Sequence, residues 1–343
     1  MTAYPIPPET LDWLLDPADP GPRYLALRHL LHYPPDSPEL LEARAAAHRD
    51  GPIAGILADM AEEGYWVKPG PGYGPKYRST VWAMIALGQL GASAAADERV
   101  GRACAYVLDH ALTPTGQFAY NQSPGGSIDC LQGNLLTALL DLGGDDPRLD
   151  AAFDWMARTV TGDGLAPRED RHAPLRYYAY KCGPLFRCGA NDGQPCAWGA
   201  AKVMLAFGKM PAERRTPRVE EAIRQGIDFL FSVEPAEATW PSGLQDHPSR
   251  NWWKFGFPVF YVTDLLQVAE ALAALGCGGD PRLARTLALI AAKGGEQARW
   301  PLEYHYGGKM WPGVSFGRAG QPNKWVTIRA LRVMARAAEP VEG

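Results

Sequence analysis

Three of the six cysteines in this sequence lie in one short segment rich in glycine and proline, "KCGPLFRCGANDGQPCAWGAAK". They are Cys182, Cys188 and Cys196, and a run with helical spacing follows the third. Cys130 begins a similar run, so it is equivalent in position to Cys196. Thiolates are preferred ligands of zinc and of iron–sulfur clusters. We therefore predict a metal site made of these four cysteines, with zinc as the expected metal and an iron–sulfur cluster as the alternative.

Two other interpretations of the cysteines stay open. The C-x5-C-x7-C spacing is not a common zinc-finger spacing, so the thiols could instead be buried and free, or two of them could form a redox disulfide. The case for a metal depends on convergence, because neighbouring helices lie roughly 8–10 Å apart and would bring Cys130 close to Cys196.

Carboxyl and imidazole groups supply candidates for proton transfer. Asp264 lies in the first turn of an apolar helical run, and Glu303 and His305 lie two residues apart in a long loop. We predict these three as catalytic residues, because such groups act as general acids and bases. An acid at a helix N-terminus is also a common cap, which is the other interpretation of Asp264 and of Asp129.

Aromatic and basic residues concentrate in the long segments between helical runs. An aromatic wall suits an apolar chain, a cation held over ring faces, or stacked sugar rings. The basic groups beside it could hold an anion such as diphosphate. The predicted substrate-binding residues are Trp66, Tyr73, Lys76, Arg78, Trp198, Trp253, Tyr261, Trp311 and Lys324. The same segments contain Tyr177, Tyr178 and Tyr180.

The elements that must position these residues form a repeat. Four helix pairs begin at Ser79, Cys130, Cys196 and Thr263, and a fifth first-helix begins near Lys324. The first helix of each pair is apolar nearly all round, and the second carries its charges on one face. An inner ring of helices inside an outer ring satisfies both patterns. We predict an all-α fold, an α/α toroid of about six helix pairs, with an open α-solenoid as the alternative.

The predicted toroid is one domain over residues 1–343, with repeats at about 79–335 and N-terminal helices at 8–63 completing the ring. Links from inner to outer helices are short, whereas the links back, 162–195, 233–262 and 294–323, are long. Antiparallel pairs place all the long links at one end, beside the N-termini of the inner helices. Loops of that length are usually functional or disordered, so we predict the chemistry at that end.

Charge and hydropathy exclude some classes of protein. The 343 residues include 34 basic and 38 acidic side chains, without a basic stripe, so we expect no nucleic-acid partner. No apolar run reaches the roughly 18 residues of a membrane span, and the N-terminus has no signal-peptide pattern. We expect a cytoplasmic protein, and a reducing compartment favours metal or catalysis over disulfides for clustered cysteines.

The repeat "AL-x-x-LG…DPR-[VL]…A…WM…DG" resembles that of the terpenoid cyclase/protein prenyltransferase superfamily over about residues 79–335. The ending "RWPLEY…GKMW…QPNKWVTIRALRVM" resembles bacterial single-domain proteins described as prenyltransferase- or squalene-cyclase-like. The resemblance implies an α/α toroid whose central cavity opens at the end with the long links. It also implies a small apolar substrate.

Some motifs of the superfamily are absent. The Asp-x-Asp-Asp acid motif of class II cyclases is missing, because Asp145 and Asp146 fall in a short link, and so are the repeated Gln-Trp motifs. Protein prenyltransferases place an Asp, a Cys and a His around zinc, and Asp129 with Cys130 matches two of these.

We therefore expect an enzyme that acts on an isoprenoid or other apolar substrate in an aromatic-lined central cavity, with the cysteine-rich metal site at its mouth. One alternative is a carbohydrate-active hydrolase or lyase with Glu303 and Asp264 as paired carboxylates. A non-catalytic binding protein is the other.

Overall fold

The structure is a computed structural model that describes residues 4–166, 170–172 and 179–338; Tyr177 and Tyr178 lie outside these ranges. Within them the chain forms thirteen α-helices, short 3-10 turns and isolated β-bridges, and no β-strand. In chain order the helices are α1 (Pro8–Leu14), α2 (Pro20–His29), α3 (Pro38–Arg49), α4 (Pro52–Ala58), α5 (Thr80–Leu90), α6 (Glu98–His110), α7 (Asp129–Asp141), α8 (Arg148–Thr161), α9 (Ala197–Lys209), α10 (Pro217–Leu230), α11 (Leu265–Ala274), α12 (Ala284–Gly294) and α13 (Lys324–Ala337).

Six of these helices form a closed inner ring. α2 contacts α5, and the series continues through α7, α9, α11 and α13, which contacts α2 again. The contact between α13 and α2 closes the ring, whereas an open solenoid would leave these helices apart. The remaining helices pack outside, with α3 on α2, α6 on α5, α8 on α7, α10 on α9 and α12 on α11. The predicted all-α toroid is therefore confirmed.

The two helical layers follow from their sequences. In α5, "TVWAMIALGQL", every residue except Gln89 is buried, as expected of a helix covered on both sides. In α10 the buried residues recur at helical spacing, and the charged residues face away from α9. The buried residues of α10 are Val219, Ala222, Ile223, Gly226, Phe229 and Leu230.

The outer helices begin at a recurring Asp-x-Arg turn. The aspartate accepts a hydrogen bond from the backbone N–H two residues later and pairs with the guanidinium of that arginine. This capping satisfies a backbone donor that the first helical turn leaves free. The pairs are Asp97–Arg99, Asp146–Arg148 and Asp280–Arg282.

Three tryptophans tie long links to the outer helix that precedes them. Each indole Nε1–H donates to a backbone carbonyl ten residues earlier, and we call these bonds the tryptophan braces. They join Trp66 to Ile56 at 2.7 Å, Trp240 to Leu230 at 3.3 Å and Trp300 to Ile290 at 2.6 Å. Trp66 was predicted to bind substrate, but it is 1% exposed and packs in the core. Among the described residues, no helix is both long and apolar enough to cross a membrane.

Candidate functional site

The long links meet beside the N-termini of the inner helices. Ile128 forms a parallel bridge with Lys181, and the N–H of Asp129 donates to the carbonyl of Lys181 at 3.1 Å. This pairing places the next residue, Cys182, against the first residue of α7. The Cys182 thiol donates to Oδ1 of Asp129 at 2.9 Å, and both side chains are buried.

The carboxyl of Asp129 is the most perturbed acid at this end of the ring. Burial, with a smaller contribution from the nearby Cys196, raises its pKa to about 8. The Cys182 thiol and the N–H of Gly183 oppose this shift only in part. Its second oxygen, Oδ2, is buried and has no hydrogen-bond partner among the described residues. Asp129 is therefore mostly a protonated carboxylic acid near neutral pH.

Two glycines allow α9 to lie unusually close to α7. A Cβ on Gly133 would lie 2.3 Å from the backbone carbon of Lys202, and a Cβ on Gly199 would lie 3.0 Å from the Cβ of Asp129. Any larger residue at Gly133 would force the two backbones apart. This close approach brings Cys196, which caps α9, within electrostatic range of Asp129.

Cys196 and Cys188 form a hydrogen-bonded pair of unequal thiols. The Cys188 thiol lowers the pKa of Cys196 to about 6, and the N–H groups of Gly199 and Trp198 and the ammonium of Lys202 lower it as well. The same hydrogen bond raises the pKa of Cys188. Cys196 is thus a thiolate at neutral pH, as is typical of a cysteine at a helix N-terminus.

Lys202 is a buried cation that the sequence analysis missed. Its Nζ donates to the carbonyl of Trp198 and to Oε1 of Gln267, both at 3.2 Å, and to the hydroxyl of Thr263. Burial lowers its pKa, and the nearby Cys130 and Cys196 oppose that shift. Lys202 therefore interacts electrostatically with both cysteines. A lone lysine in the apolar run "AWGAAKVMLAF" was the available signal.

The four cysteines gather at this end, but the described residues do not form a recognisable group of metal ligands. Cys130 interacts electrostatically with Cys196 and with Cys182, and Cys188 forms a hydrogen bond with Cys196. Nevertheless, no group of three or more potential ligands in the described ranges could hold a metal ion. The thiol of Cys182 instead donates a hydrogen bond to Asp129. Zinc and iron–sulfur thus gain no support here and stay predictions, which elemental analysis of protein purified without chelator would test.

Aromatic rings adjoin the thiols. The ring centroids of Tyr73 and Trp82 lie 5.5 Å apart, and those of Trp82 and Tyr261 lie 5.1 Å apart. The ammonium of Lys76 lies 5.5 Å from the ring centre of Tyr73 and 5.6 Å from that of Tyr261. Both tyrosines interact electrostatically with Cys130. These ring faces therefore hold a cation beside the thiol cluster, and the predicted role of Tyr73, Lys76 and Tyr261 in substrate binding stays a prediction.

The aromatic cluster continues away from the thiols. Tyr77 packs on Trp82 at 5.0 Å and on Tyr306 at 4.3 Å, and Phe260 lies 4.9 Å from Tyr306. At these distances the rings are in direct contact with one another. The cluster is therefore a packed layer over the N-terminal end of the ring.

Asp264 has its carboxylate fully engaged. It caps α11 through the N–H of Gln267 at 2.8 Å, accepts from the N–H of Gly256 at 3.0 Å, and pairs with Arg329 at 3.1 Å. Arg329 also pairs with Glu270 at 2.8 Å. These contacts give the predicted catalytic Asp264 a structural role as a cap and ion pair.

Glu303 and His305 are not brought together as a proton-transfer pair. Glu303 accepts from the N–H of Phe255 at 3.0 Å and pairs with Lys293 at 2.6 Å. His305 is exposed, and its Nδ1 accepts from the N–H of Gly307 at 3.0 Å. Since both predicted carboxylates have cationic partners, the described residues offer no support for a carbohydrate-active pair at Glu303 and Asp264.

His305 lines an open pocket together with two of the predicted substrate-binding residues. The pocket has a volume of about 500 Å³ and includes Arg78 and Trp311 in its wall. Trp311 is buried, and its Nε1 has no partner among the described residues. Apart from Arg78, the residues that line this pocket lie in the last long link, 294–323.

The other predicted binding residues make contacts within the packed links. Trp198 meets Trp252 edge to face, with ring centroids 6.3 Å apart. Trp253 donates its Nε1–H to the carbonyl of Ala236 at 3.0 Å. Lys324 pairs with Asp19 at the start of α2.

The cavity at the ring centre differs from the expected one. It has a volume of about 130 Å³ and is bounded by all six inner helices, and its wall mixes apolar and neutral residues with seven charged ones. Phe257 is the one Phe, Tyr or Trp among the described lining residues, because residues 255–262 enter the ring from the other end. Gln89 fixes this segment through both backbone groups of Val259, at 2.7 and 2.8 Å, and Asn134 donates to the carbonyl of Phe260 at 3.2 Å. The expectation of an aromatic-lined central cavity is thereby corrected.

Comparison with known proteins gives few matches. No family model matches the chain, and neither does any curated protein. Among solved structures, the apo type II terpene cyclase MstE from Scytonema has 20% identity and a TM-score of 0.43, over 87% of this chain and 77% of that one. A protein from Actinoplanes has 16% identity and a TM-score of 0.34, over 86% and 100% of the two chains.

A variant of MstE in complex with its substrate, geranylgeranyl dihydroxybenzoate, matches with 18% identity and a TM-score of 0.43, over 87% of this chain and 76% of that one. At such identities and scores the likeness carries no argument about activity, and the toroid rests on the helix contacts described above. The solved structures that this chain resembles thus include a type II terpene cyclase.

Proposed function

We propose that this protein is an enzyme that starts a reaction on an isoprenoid, or on a similar unsaturated apolar chain, by protonating a carbon–carbon double bond. Asp129 is the acid. The single observation that carries the proposal is its buried carboxyl, whose pKa of about 8 keeps the proton on at neutral pH. A carboxylic acid held neutral by an apolar site is a recognised way to obtain an acid catalyst at pH 7.

The two oxygens of Asp129 have different roles in this reaction. Oδ1 accepts from the Cys182 thiol, so Oδ2, which has no partner among the described residues, is the oxygen that carries the proton. When the O–H bond breaks, the electron pair of the alkene takes the proton, and a carbocation and a carboxylate form. The Cys182 hydrogen bond then stabilises the new carboxylate, because bonds to charged acceptors are the stronger ones.

Burial is the main cause of the raised pKa of Asp129, and the Cys196 thiolate adds to it. A thiolate near the carboxyl disfavours a second negative charge and keeps the proton in place. The hydrogen bond from Cys188 is the main cause that lowers the pKa of Cys196, and Lys202 adds to it. The thiolate therefore tunes the acid without touching the substrate.

The aromatic rings stabilise the cation that protonation creates. A cation over a ring face gains about 0.5–2 kcal/mol, depending on how far it is desolvated. The ammonium of Lys76 marks where the faces of Tyr73 and Tyr261 already hold a positive charge. The substrate cation would take that place when Lys76 swings into solvent. The reaction ends when the cation loses a proton, so it consumes no oxidant or cofactor.

Turnover in D₂O tests this proposal. The probes are geranylgeraniol, squalene and geranylgeranyl dihydroxybenzoate, with products analysed by gas chromatography and mass spectrometry. We expect isomerised or cyclised product with one deuterium from solvent, and no product from Asp129→Asn. The matched control is Asp145→Asn, since the Asp145 side chain is 93% exposed in a short link. Undiminished turnover by Asp129→Asn, or none of the probes reacting with the wild type, would overturn it.

A second measurement does not depend on the choice of substrate. Infrared difference spectra of wild type minus Asp129→Asn report whether the carboxyl is protonated. We expect the C=O band of a protonated carboxyl at pH 6.5 and its loss above pH 8. A carboxylate already ionised at pH 6 would remove the acid from the mechanism.

A further inference from the structure

The cavity at the ring centre lies at the end opposite Asp129. Its wall contains the C-terminal residues of α2, α7 and α9 and one face of α13. Arg28 and Arg336 are exposed at its mouth, and Arg332 lies half-buried farther in. The volume of about 130 Å³ is large enough for several water molecules or a small polar ligand.

The charges on the wall do not balance. The two carboxylates of the cavity are already committed, because Asp141 pairs with Lys209 and Glu270 pairs with Arg329. The remaining three cations form no ion pair with any described residue. These cations are Arg28, Arg332 and Arg336.

The pKa of the neighbouring His29 is affected by this positive charge. Burial and the adjacent Arg332 and Arg28 hold the pKa of His29 far below its usual range, so the imidazole is neutral. Arg28 itself is positioned by a hydrogen bond to the hydroxyl of Tyr24 at 3.1 Å.

Helix dipoles can stabilise only some of these three arginines. Cations near a helix C-terminus interact favourably with its partial negative charge, but the effect falls off within the last turn. Arg28 and Arg336 lie in the last turns of α2 and α13. Arg332 lies more than a turn before the end of α13, and the two carboxylates that attract it, Glu270 and Asp141, are each already paired with another cation.

We propose that this cavity binds a multiply charged anion of the phosphate or diphosphate class, which enters from the face of the short links. The planar guanidinium fork matches phosphate oxygens in pairs, and three arginines from two helices surround one volume. A diphosphate group carries more negative charge than a monophosphate and is the better match to three unpaired cations. The bound group is either inorganic diphosphate or the diphosphate end of a small organic molecule.

Calorimetric titration at constant ionic strength tests the site, with sodium diphosphate, sodium phosphate and sodium chloride as probes. We expect diphosphate to bind at least tenfold more tightly than phosphate, and chloride to give no saturable heat. Geranyl diphosphate is a further arm: tighter binding than inorganic diphosphate identifies an organic ligand, whereas equal binding identifies the diphosphate group alone. Both results support the site. Diphosphate that binds no better than chloride would refute it.

Variants locate the binding. Arg332→Gln should weaken diphosphate at least tenfold, and Arg28→Gln provides the same test at the cavity mouth if the first variant does not fold. Both should be at least as stable as the wild type without ligand, because each removes a like-charge repulsion. The matched control is Arg224→Gln, whose side chain is 63% exposed on α10. Unchanged affinity in Arg332→Gln and Arg28→Gln would mean that the anion binds elsewhere and would overturn the assignment.

Discussion

Replacing Asp129 by asparagine should change how the stability of the protein depends on pH. The asparagine side chain has nearly the same shape and keeps an oxygen that accepts from the Cys182 thiol, but it does not ionise. The wild-type carboxyl must either stay protonated in the folded state or be buried with a charge. The wild type and Asp129→Asn therefore differ mainly in whether the side chain at position 129 can ionise.

The size of the effect follows from the two pKa values. An aspartate in the unfolded chain has a pKa of about 3.9, whereas that of folded Asp129 is raised to about 8. Between these values the folded protein holds one proton more than the unfolded chain. The stability that this proton supports is complete below the unfolded pKa and is lost as pH rises toward the folded pKa. Each pH unit removes about 1.4 kcal/mol, so the wild type loses about 2.7 kcal/mol between pH 5 and pH 7.

Urea unfolding at pH 5, 6 and 7, followed by circular dichroism, measures this difference. We expect the unfolding free energy of Asp129→Asn to gain about 2.7 kcal/mol relative to the wild type between pH 5 and 7. The slope is nearly the same for any folded-state pKa well above 7. Asp145→Asn, at an exposed site, should follow the wild type. Parallel curves for Asp129→Asn and the wild type would show that Asp129 is ionised in the folded protein and would refute the reasoning.

Three further predictions follow from the same contacts. Cys182→Ala should lower turnover about tenfold, because the carboxylate of Asp129 loses a hydrogen bond worth roughly 1.5 kcal/mol, and Cys182→Ser should restore most of it in a steady-state assay. Diamide should oxidise Cys188 and Cys196 to a disulfide, which peptide mapping without reductant would detect, and should slow turnover reversibly. The turnover of Cys188→Ser should be resistant to diamide. Absence of the disulfide in treated wild-type protein would contradict the pairing. Arg329→Met should lose about 3–5 kcal/mol of stability in urea, because the buried Asp264 and the half-buried Glu270 lose their counterion, and a loss below 1 kcal/mol would contradict that account.

The sequence could predict the ring because its signals are local and repeated. Apolar runs such as "TVWAMIALGQL", glycines at helix ends and Asp-x-Arg turns each specify one element, and the alternation of short and long links sorts the ends. The gathering of Cys130, Cys182, Cys188 and Cys196 was predictable on the same basis. It required only that successive inner helices lie side by side.

The roles of individual side chains were not predictable in this way. The pKa of Asp129 depends on burial and on a contact with Cys182, which lies 53 residues away. Asp264 looked like a candidate acid because Arg329, its partner, lies 65 residues farther along the chain. The central cavity differs from the expected one because Gln89 and Asn134 form hydrogen bonds with a segment that is distant in sequence, and this segment lies inside the ring. Long-range partners decide chemistry, and a single sequence does not display them.

The tryptophan braces separate two kinds of variation in this architecture. Each brace fixes the direction in which the chain leaves an outer helix, through one indole bond made over ten residues. The parts of the long links after Trp66, Trp240 or Trp300 can then be lengthened, shortened or exchanged while the packing of the helical ring stays the same. A scaffold of this kind permits new substrate preferences to evolve by loop replacement, and it offers defined junctions at which a designer could graft a link from one such ring onto another.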